Sequence, residues 1–173
     1  HPARPEGKTY AEKVMVVARV DLFRDEIWNG LKTENLQKYI NLITTKHKFL
    51  PRGQVESDPS WKQIIPYLIF ENDGRIFLMR RRADHSDLRL ANLYSIGIGG
   101  HINRKDIKET KRQRDKGNGI MMWAKREFEE EIDYAGKYKT EFLGLLNHDA
   151  NDVGMVHVGL VIKVVGDTDK IAI

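Results

Sequence analysis

The spacing of apolar residues predicts a strand and a helix in the first part of the chain. Residues 13–23, KVMVVARVDLF, are rich in valine and predict a strand. Apolar residues recur at helical spacing within residues 33–50, which predicts a helix with Thr33 as its cap. Residues 51–60, PRGQVESDPS, predict a loop because they combine proline, glycine and short polar side chains.

In the second part of the chain, apolar and polar residues alternate more strongly, and this pattern predicts several strands. Two apolar runs in residues 61–82 flank an Asn-Asp-Gly sequence, which is typical of a β-hairpin. Residues 92–101, NLYSIGIGGH, predict a short strand that ends in glycines, and residues 138–147 and 153–165 predict two longer strands. Many strands with one central helix indicate the α+β class.

The central helix is predicted from residue 120 to about 133, after the loop sequence Gly-Asn-Gly, and is called the acidic helix below. Counting about 100° per residue, Glu127, Glu130 and Glu131 share one side of this helix, and Arg126 lies one turn before Glu130. The neighbouring side is apolar and predicts a buried face, made of Ile120, Met121, Ala124, Phe128 and Ile132.

The crowding of carboxylates on the acidic helix has two interpretations. Like charges spaced by four residues on a helix repel by a few tenths of a kcal/mol, so a solvated acidic face would be expected to carry interleaved lysines. Only Lys125 and Arg126 are close in sequence. A hard divalent cation such as Mg²⁺, which prefers oxygen ligands, would relieve the repulsion better. The cluster is therefore either an ordinary surface or a metal site.

Composition narrows the chemistry. The 173 residues are 40% hydrophobic and 31% charged, which predicts one domain with a core. The chain contains no cysteine, which excludes disulfides and thiolate chemistry. No apolar run is long enough for a membrane span, and no signal-peptide pattern opens the chain, so we expect a cytoplasmic protein. The net charge of +4 comes from residues 104–116, which form either a charged surface loop or an electropositive flap for an anionic substrate.

The glycines at 99–100 and the sequence REFEEE at 126–131 resemble the signature of the Nudix hydrolases, the MutT-like phosphohydrolases. That signature is G-x5-E-x7-R-E-U-x-E-E-x-G-U, where U is an apolar residue. Asn118 stands where the first glutamate is expected and Asp133 where the last glycine is expected. Gly100 and Arg126 are also farther apart than the corresponding residues of the signature, and the basic segment fills the difference.

The resemblance implies an α/β/α sandwich with a mixed sheet and the acidic helix packed on it. It also implies hydrolysis of a nucleoside diphosphate linked to another moiety, or of a related organic diphosphate, with Mg²⁺ or Mn²⁺ as cofactor. Glu127, Glu130, Glu131 and the carbonyl of Gly99 would bind the metal, and Arg126 would orient Glu130.

Other side chains are candidates for contacts with the substrate. Arg80 and Arg82 share one face of a predicted strand end and suit bidentate phosphate binding, although basic strand ends are also common on surfaces. His101 follows the glycines and is a further phosphate-binding candidate. His157 lies within a strand pattern, so we interpret it as a residue of the sheet rather than a ligand.

A general base is expected from the connection between the last two strands. Asp149 and Asp152 are the candidates there, although aspartate is common in turns for conformational reasons. Two other functions remain open. A diphosphate isomerase of the isopentenyl diphosphate type would have the same fold but depends on a cysteine that this chain lacks. A nucleotide or RNA sensor without activity would explain Asn118, Asp133 and the basic segment.

The domain organisation follows from the extent of the resemblance. Residues 1–60 are expected to form an extension of one strand and one helix packed on the core, and residues 61–173 a Nudix domain. The usual C-terminal helix of that domain is expected to be either truncated or replaced by the extension. A small diphosphate is the expected partner, with nucleic acid and a second copy of the chain as open alternatives.

Overall fold

The computed structural model describes residues 12–80, 94–104, 122, 125, 128–130 and 132–172. Its strands are β1 (Lys13–Ala18), β2 (Gly30–Lys32), β3 (Lys48–Pro51), β4 (Trp61–Asn72), β5 (Arg75–Ile76), β6 (Met79–Arg80), β7 (Tyr94–Ser95), β8 (Ile98–Gly99), β9 (Asp133–Tyr134), β10 (Tyr138–Asn147), β11 (His157–Gly166) and β12 (Ile171–Ala172). Its helices with defined bounds are α1 (Arg19–Leu22), α2 (Leu36–Lys46), α3 (Arg52–Val55) and α4 (Asp152–Met155).

A mixed sheet of eight strands organises the described part of the chain. Its main path runs β2-β10-β11-β4-β1-β3, and β5 and β8 pair with β4 outside that path. β4 and β11 are parallel, with His157 opposite Gln63, whereas the other pairs are antiparallel. β1, β2 and β3 come from the predicted extension, so residues 13–51 contribute strands to the same sheet as the rest.

Side-chain alternation along β4 and β11 divides the apolar residues between the two faces of the sheet. Ile64, Leu68 and Phe70 of β4 belong to the main core, together with Val158, Leu160, Ile162 and Val164 of its parallel partner. A smaller cluster elsewhere contains Val14, Val16 and Val55. From Ile64 to Phe70, β4 is apolar at every residue, as expected for a strand covered on both faces.

The acidic helix packs on the main core through its described residues. Phe128 is only 2% exposed and its ring stacks on that of Phe70, with 6.0 Å between ring centroids. The Ile132 amide donates to the Phe128 carbonyl at helical spacing, and Ile132 is also buried. The predicted buried face is confirmed at these two residues. The helix ends earlier than predicted, because Asp133 already pairs in β9.

Several local predictions were wrong at element ends. The helix predicted after Thr33 begins at Leu36, and Asn35 precedes it in a left-handed conformation without a side-chain cap. The strand predicted for residues 13–23 ends at Ala18, where the short helix α1 begins. The loop predicted for residues 51–60 contains α3. Four-residue helices are too short to produce a recognisable apolar period.

The predicted hairpin is confirmed between β4 and β5. Asp73 and Gly74 form its two-residue turn, and both have positive φ, at 50° and 75°. Two successive positive φ values are the requirement of a type I′ turn, which explains the Asp-Gly sequence.

Gly144 provides a test of sheet packing. It follows a register shift in β10, and a Cβ atom there would lie 2.3 Å from the carbonyl oxygen of Lys32 in β2. We expect Gly144→Ala to lower the free energy of unfolding by about 1–3 kcal/mol, because the backbone of β2 must move. Gly159→Ala is the control, because its Cβ would meet nothing closer than 3.4 Å. Equal losses in urea denaturation of the two variants would contradict this account.

Candidate functional site

The glycine-rich strand end lies against the centre of β4. β8 places Gly99 opposite Tyr67, and the Gly100 amide donates to the Pro66 carbonyl at 3.3 Å. A Cβ on Gly97 would lie 2.3 Å from the Tyr67 ring, so a larger residue cannot occupy this position without displacing that ring. Gly99 itself is exposed. These contacts fix the backbone whose carbonyl was predicted as a metal ligand.

Glu130 is the one predicted glutamate ligand among the described residues, and it is helical and exposed. It is engaged in an interaction of its own within the protein. Its neighbour Glu129 accepts a hydrogen bond from the Tyr138 hydroxyl at 2.6 Å. Glu127, Glu131 and Arg126 lie outside the described residues.

The two arginines predicted to bind phosphate lie at the edge of the described chain. Arg80 is the last residue of β6, where its backbone pairs with Tyr94. Arg82 lies outside the described residues, as does the basic segment after Arg104. Neither arginine is therefore tested by a side-chain contact.

Asp149 lies in a network of cations in the connection between β10 and β11. Its carboxylate accepts from Arg19 at 2.9 Å and from Lys62 at 2.8 Å, and the Asn147 amide donates to it at 3.2 Å. The Arg19 and Lys62 hydrogen bonds hold the pKa of Asp149 far below its ordinary value, against the opposing effect of partial burial. A carboxylate with so low a pKa is a weak proton acceptor. Asp152 lies exposed at the start of α4.

Lys62 was missed by the sequence analysis and is the most buried charged residue described, at 0% exposure. Its ammonium group donates to Asp149, to the Gly154 carbonyl at 2.6 Å and to the His157 carbonyl at 3.2 Å. Burial lowers the pKa of Lys62, and Asp149 opposes that change. The signal was present in the sequence, because alternation places Lys62 on the same side of β4 as Ile64.

A second group of titratable side chains brings His101 together with residues that were not predicted to act with it. One ligand atom from each of Glu56, His101 and His157 lies within 4.8 Å of the others. His101 Nε2 lies 2.8 Å from the Gln63 Oε1 atom, and His157 Nδ1 lies 2.6 Å from the Val153 carbonyl oxygen. Burial lowers the pKa of His101 to about 4 and also lowers the pKa of His157. Burial thus disfavours the charged form of both rings.

No model of an established protein family matches the chain. The chain is 33% identical over 156 residues to Protein YmaB of Bacillus subtilis (strain 168), across 87% of this chain and 73% of YmaB. The chain belongs to the YmaB family. The name YmaB carries no functional information, so the chemistry of the family has to be inferred from the site.

This YmaB-family chain has a Nudix-like fold. Its structure is similar to the crystal structure of Tm1382, a protein described provisionally as a Nudix hydrolase, with a TM-score of 0.70 and 26% identity. The similarity covers 90% of this chain and 77% of Tm1382. The predicted α+β class, mixed sheet and Nudix fold are thereby confirmed. Among the described residues of the YmaB-family chain, no helix is long and apolar enough to cross a membrane.

Because Asp149 pairs with two cations, we expect the loss of its negative charge to destabilise this YmaB-family chain strongly. Asp149→Asn removes the counter-charge of a buried ammonium group, so we expect the free energy of unfolding to fall by about 3 kcal/mol in urea denaturation. Asp152→Asn is the matched control on the exposed start of α4 and should change the free energy of unfolding by less than about 0.5 kcal/mol. Lys62→Met removes the buried charge itself and should lower the free energy of unfolding by less than Asp149→Asn does. The reverse order would contradict this account.

The lowered pKa of Asp149 predicts how that difference changes with pH. A carboxylate whose pKa is lower in the folded state stabilises fully above its unfolded pKa, and its contribution is lost as the pH falls through the folded pKa. The ordinary value is 3.8. We therefore expect the stability difference between wild type and Asp149→Asn to be constant near neutral pH and to shrink below about pH 4. A difference that grows in acid would show that another group controls it.

Proposed function

We propose that the chain is a metal-dependent hydrolase that cleaves the diphosphate bond of a nucleoside diphosphate linked to another moiety, or of a related organic diphosphate. The observation that supports this proposal best is the combination of a Nudix-like fold with the sequence REFEEE on the acidic helix. Fold alone does not determine function, but a fold and a matching set of catalytic residue types favour the same chemistry.

The placement of the described residues fits the proposed site. The acidic helix rests on Phe70 of β4 through Phe128, while Gly99 pairs with Tyr67 of the same strand. Tyr67 and Phe70 are three residues apart, so one rigid strand supports both the glutamate-bearing helix and the glycine-rich backbone. Sites held by strands and helices retain their geometry better than sites on loops.

The donor atoms fit a hard divalent cation. Glu127, Glu130, Glu131 and the Gly99 carbonyl would supply only oxygen ligands, which suit Mg²⁺ or Mn²⁺. When bound, such a cation neutralises phosphate charge and makes a bound water more acidic. Glu130 is exposed and so can reach a substrate that approaches from solvent.

The remaining residues position the substrate and move a proton. Arg126 orients Glu130 from one helical turn away. Arg80 and Arg82 bind the phosphate groups, for which the planar guanidinium is suited. Of the two possible bases, Asp152 is favoured, because the carboxylate of Asp149 is already occupied by Arg19 and Lys62.

His101 is not included among the phosphate-binding residues of this proposal. Its ring is held by Gln63, whose side chain points away from the face of β4 that carries the acidic helix. A phosphate contact would require the ring to leave that hydrogen bond. The domain organisation proposed with this function places the catalytic residues after residue 61, whereas β1, β2 and β3 of the extension complete the sheet.

Glu130→Gln tests the proposed function. The variant keeps the shape of the side chain but removes a negative charge, so we expect kcat/KM in Mg²⁺ to fall by about 100-fold, equivalent to about 2.7 kcal/mol of transition-state stabilisation. The assay follows, by chromatography, the formation of nucleoside monophosphate from a panel of nucleoside diphosphate derivatives. Glu129→Gln is the matched control, because it neutralises the neighbouring glutamate and keeps an acceptor for the Tyr138 hydroxyl.

Two results would contradict the proposal. Full activity of Glu130→Gln, or activity that survives removal of divalent cations, would exclude the acidic helix as the metal site. In the second result, the wild-type protein hydrolyses no compound of the panel and binds RNA tightly, with an affinity that falls steeply as salt is added. That result would favour a binding function over an enzymatic one.

A further inference from the structure

Glu56, His101 and His157 meet from three separate parts of the chain. Glu56 directly follows α3, His101 follows β8 by two residues, and His157 is the first residue of β11. One ligand atom from each lies within 4.8 Å of the others. Two imidazoles and one carboxylate are a common ligand set for divalent transition metals, zinc among them.

The hydrogen bonds of both histidines leave one ring nitrogen available as a ligand. The partners of His101 Nε2 and His157 Nδ1 are both carbonyl-type oxygens, which only accept, so each of these nitrogens carries the hydrogen. The other nitrogen of each ring, Nδ1 of His101 and Nε2 of His157, is therefore the one that can coordinate an ion. Histidines that bind metals typically donate their second nitrogen to a carbonyl or carboxylate in this way.

The carboxylate is held by a comparable contact. Glu56 Oε1 accepts from Arg52 Nε at 2.8 Å, which fixes the side chain through one oxygen. The second oxygen of a carboxylate can still coordinate a cation. All three side chains are half-buried, so the group is partly shielded from water but remains accessible to an ion.

Gln63 gives an independent indication that a ligand belongs in this place. It is 0% exposed, and its Oε1 atom lies 2.8 Å from His101 Nε2. Its Nε2 atom is buried and lacks a hydrogen-bond partner within the described part of the chain. A buried amide donor without an acceptor is costly. The unsatisfied donor belongs to the same amide that holds the His101 ring, next to the cluster.

The cluster is separated from the proposed hydrolase site by the sheet. Gln63 and His157 are register partners in parallel strands, so their side chains share a face. Ile64, Leu68 and Phe70 occupy the opposite face, where Phe70 stacks on Phe128 of the acidic helix. An ion in the cluster would therefore be distinct from one held by the glutamates.

We propose that Glu56, His101 and His157 bind a divalent transition metal of the zinc class, with a water as the fourth ligand. Ligands of tetrahedral zinc lie about 2.0–2.2 Å from the ion. The three ligand atoms therefore move closer together, by rotation of their side chains, when the ion binds. The bound ion joins the end of α3 to the end of β8 and the start of β11. It thus links the segment after α3 to two strands of the sheet.

The test measures zinc binding by the 173-residue chain, independently of hydrolase activity. After treatment with a chelator, the protein should bind Zn²⁺ with one equivalent at the cluster by calorimetry in excess Mg²⁺, which saturates oxygen-only sites. At free Zn²⁺ about 100-fold above Kd, Tm should rise by about 5–10 °C. X-ray absorption of the zinc-loaded wild type should show imidazole scattering at about 2.0–2.1 Å.

Variants then assign the ligands. His101→Gln, His157→Gln and Glu56→Gln should each weaken zinc binding at least tenfold. His148→Gln is the matched control, because His148 is exposed outside the cluster, and Glu130→Gln controls for the acidic helix. Absence of zinc binding by the wild type, a zinc spectrum without imidazole, or unchanged affinity in His157→Gln would overturn the proposal. The spectrum of the wild type decides the question even if a ligand variant fails to fold. Failure of the hydrolase assay would leave each of these measurements unaffected.

Discussion

Alternation along β4 is the constraint on which the other features depend. Its even-numbered residues face the main core, and its odd-numbered residues face the side that carries the histidine cluster. A shift of one residue in register would exchange the two faces and bury Gln63 among Leu and Ile side chains. The twelve-residue length of β4 and its pairing with β1, β5, β8 and β11 make such a shift costly, because each neighbour would lose its partners.

Lys62 is the exception within that pattern, and it connects the sheet to the loop before β11. A lysine on the core face of β4 would be destabilising if its ammonium were unpaired. Asp149 and the carbonyls of Gly154 and His157 provide its three acceptors, so the lysine fixes both ends of that connection. The ammonium group whose charge Asp149 compensates also donates to the His157 carbonyl and so positions His157. Stability near Asp149 and the geometry of the histidine cluster are consequently linked through one side chain.

The sequence predicted those elements whose periodicity is long enough to be distinctive. β10 has the predicted bounds, and the Asp-Gly turn follows from its conformational requirement. The short helices were missed because four residues contain barely one turn. At the site, the glutamates could be proposed because the acidic helix gathers them within a few residues. Glu56, His101 and His157 could not, since 45 residues separate the first two and 56 the last two, and only the sheet brings them together.

The two proposed metal sites differ in the chemistry of their ligands, and that difference bears on how one small protein could hold two kinds of ion. The acidic helix and Gly99 offer only oxygen, which suits a hard cation that keeps part of its water shell. The histidine cluster offers imidazole nitrogen, for which transition metals have higher affinity than Mg²⁺. Zinc also binds carboxylates, so affinity alone would not keep it from the acidic helix. Geometry adds to the discrimination at the histidine cluster: the histidines are already oriented by Gln63 and Val153, and a tetrahedral ion gains from that preorganisation, whereas an octahedral ion would have to give up about half of its water shell to enter.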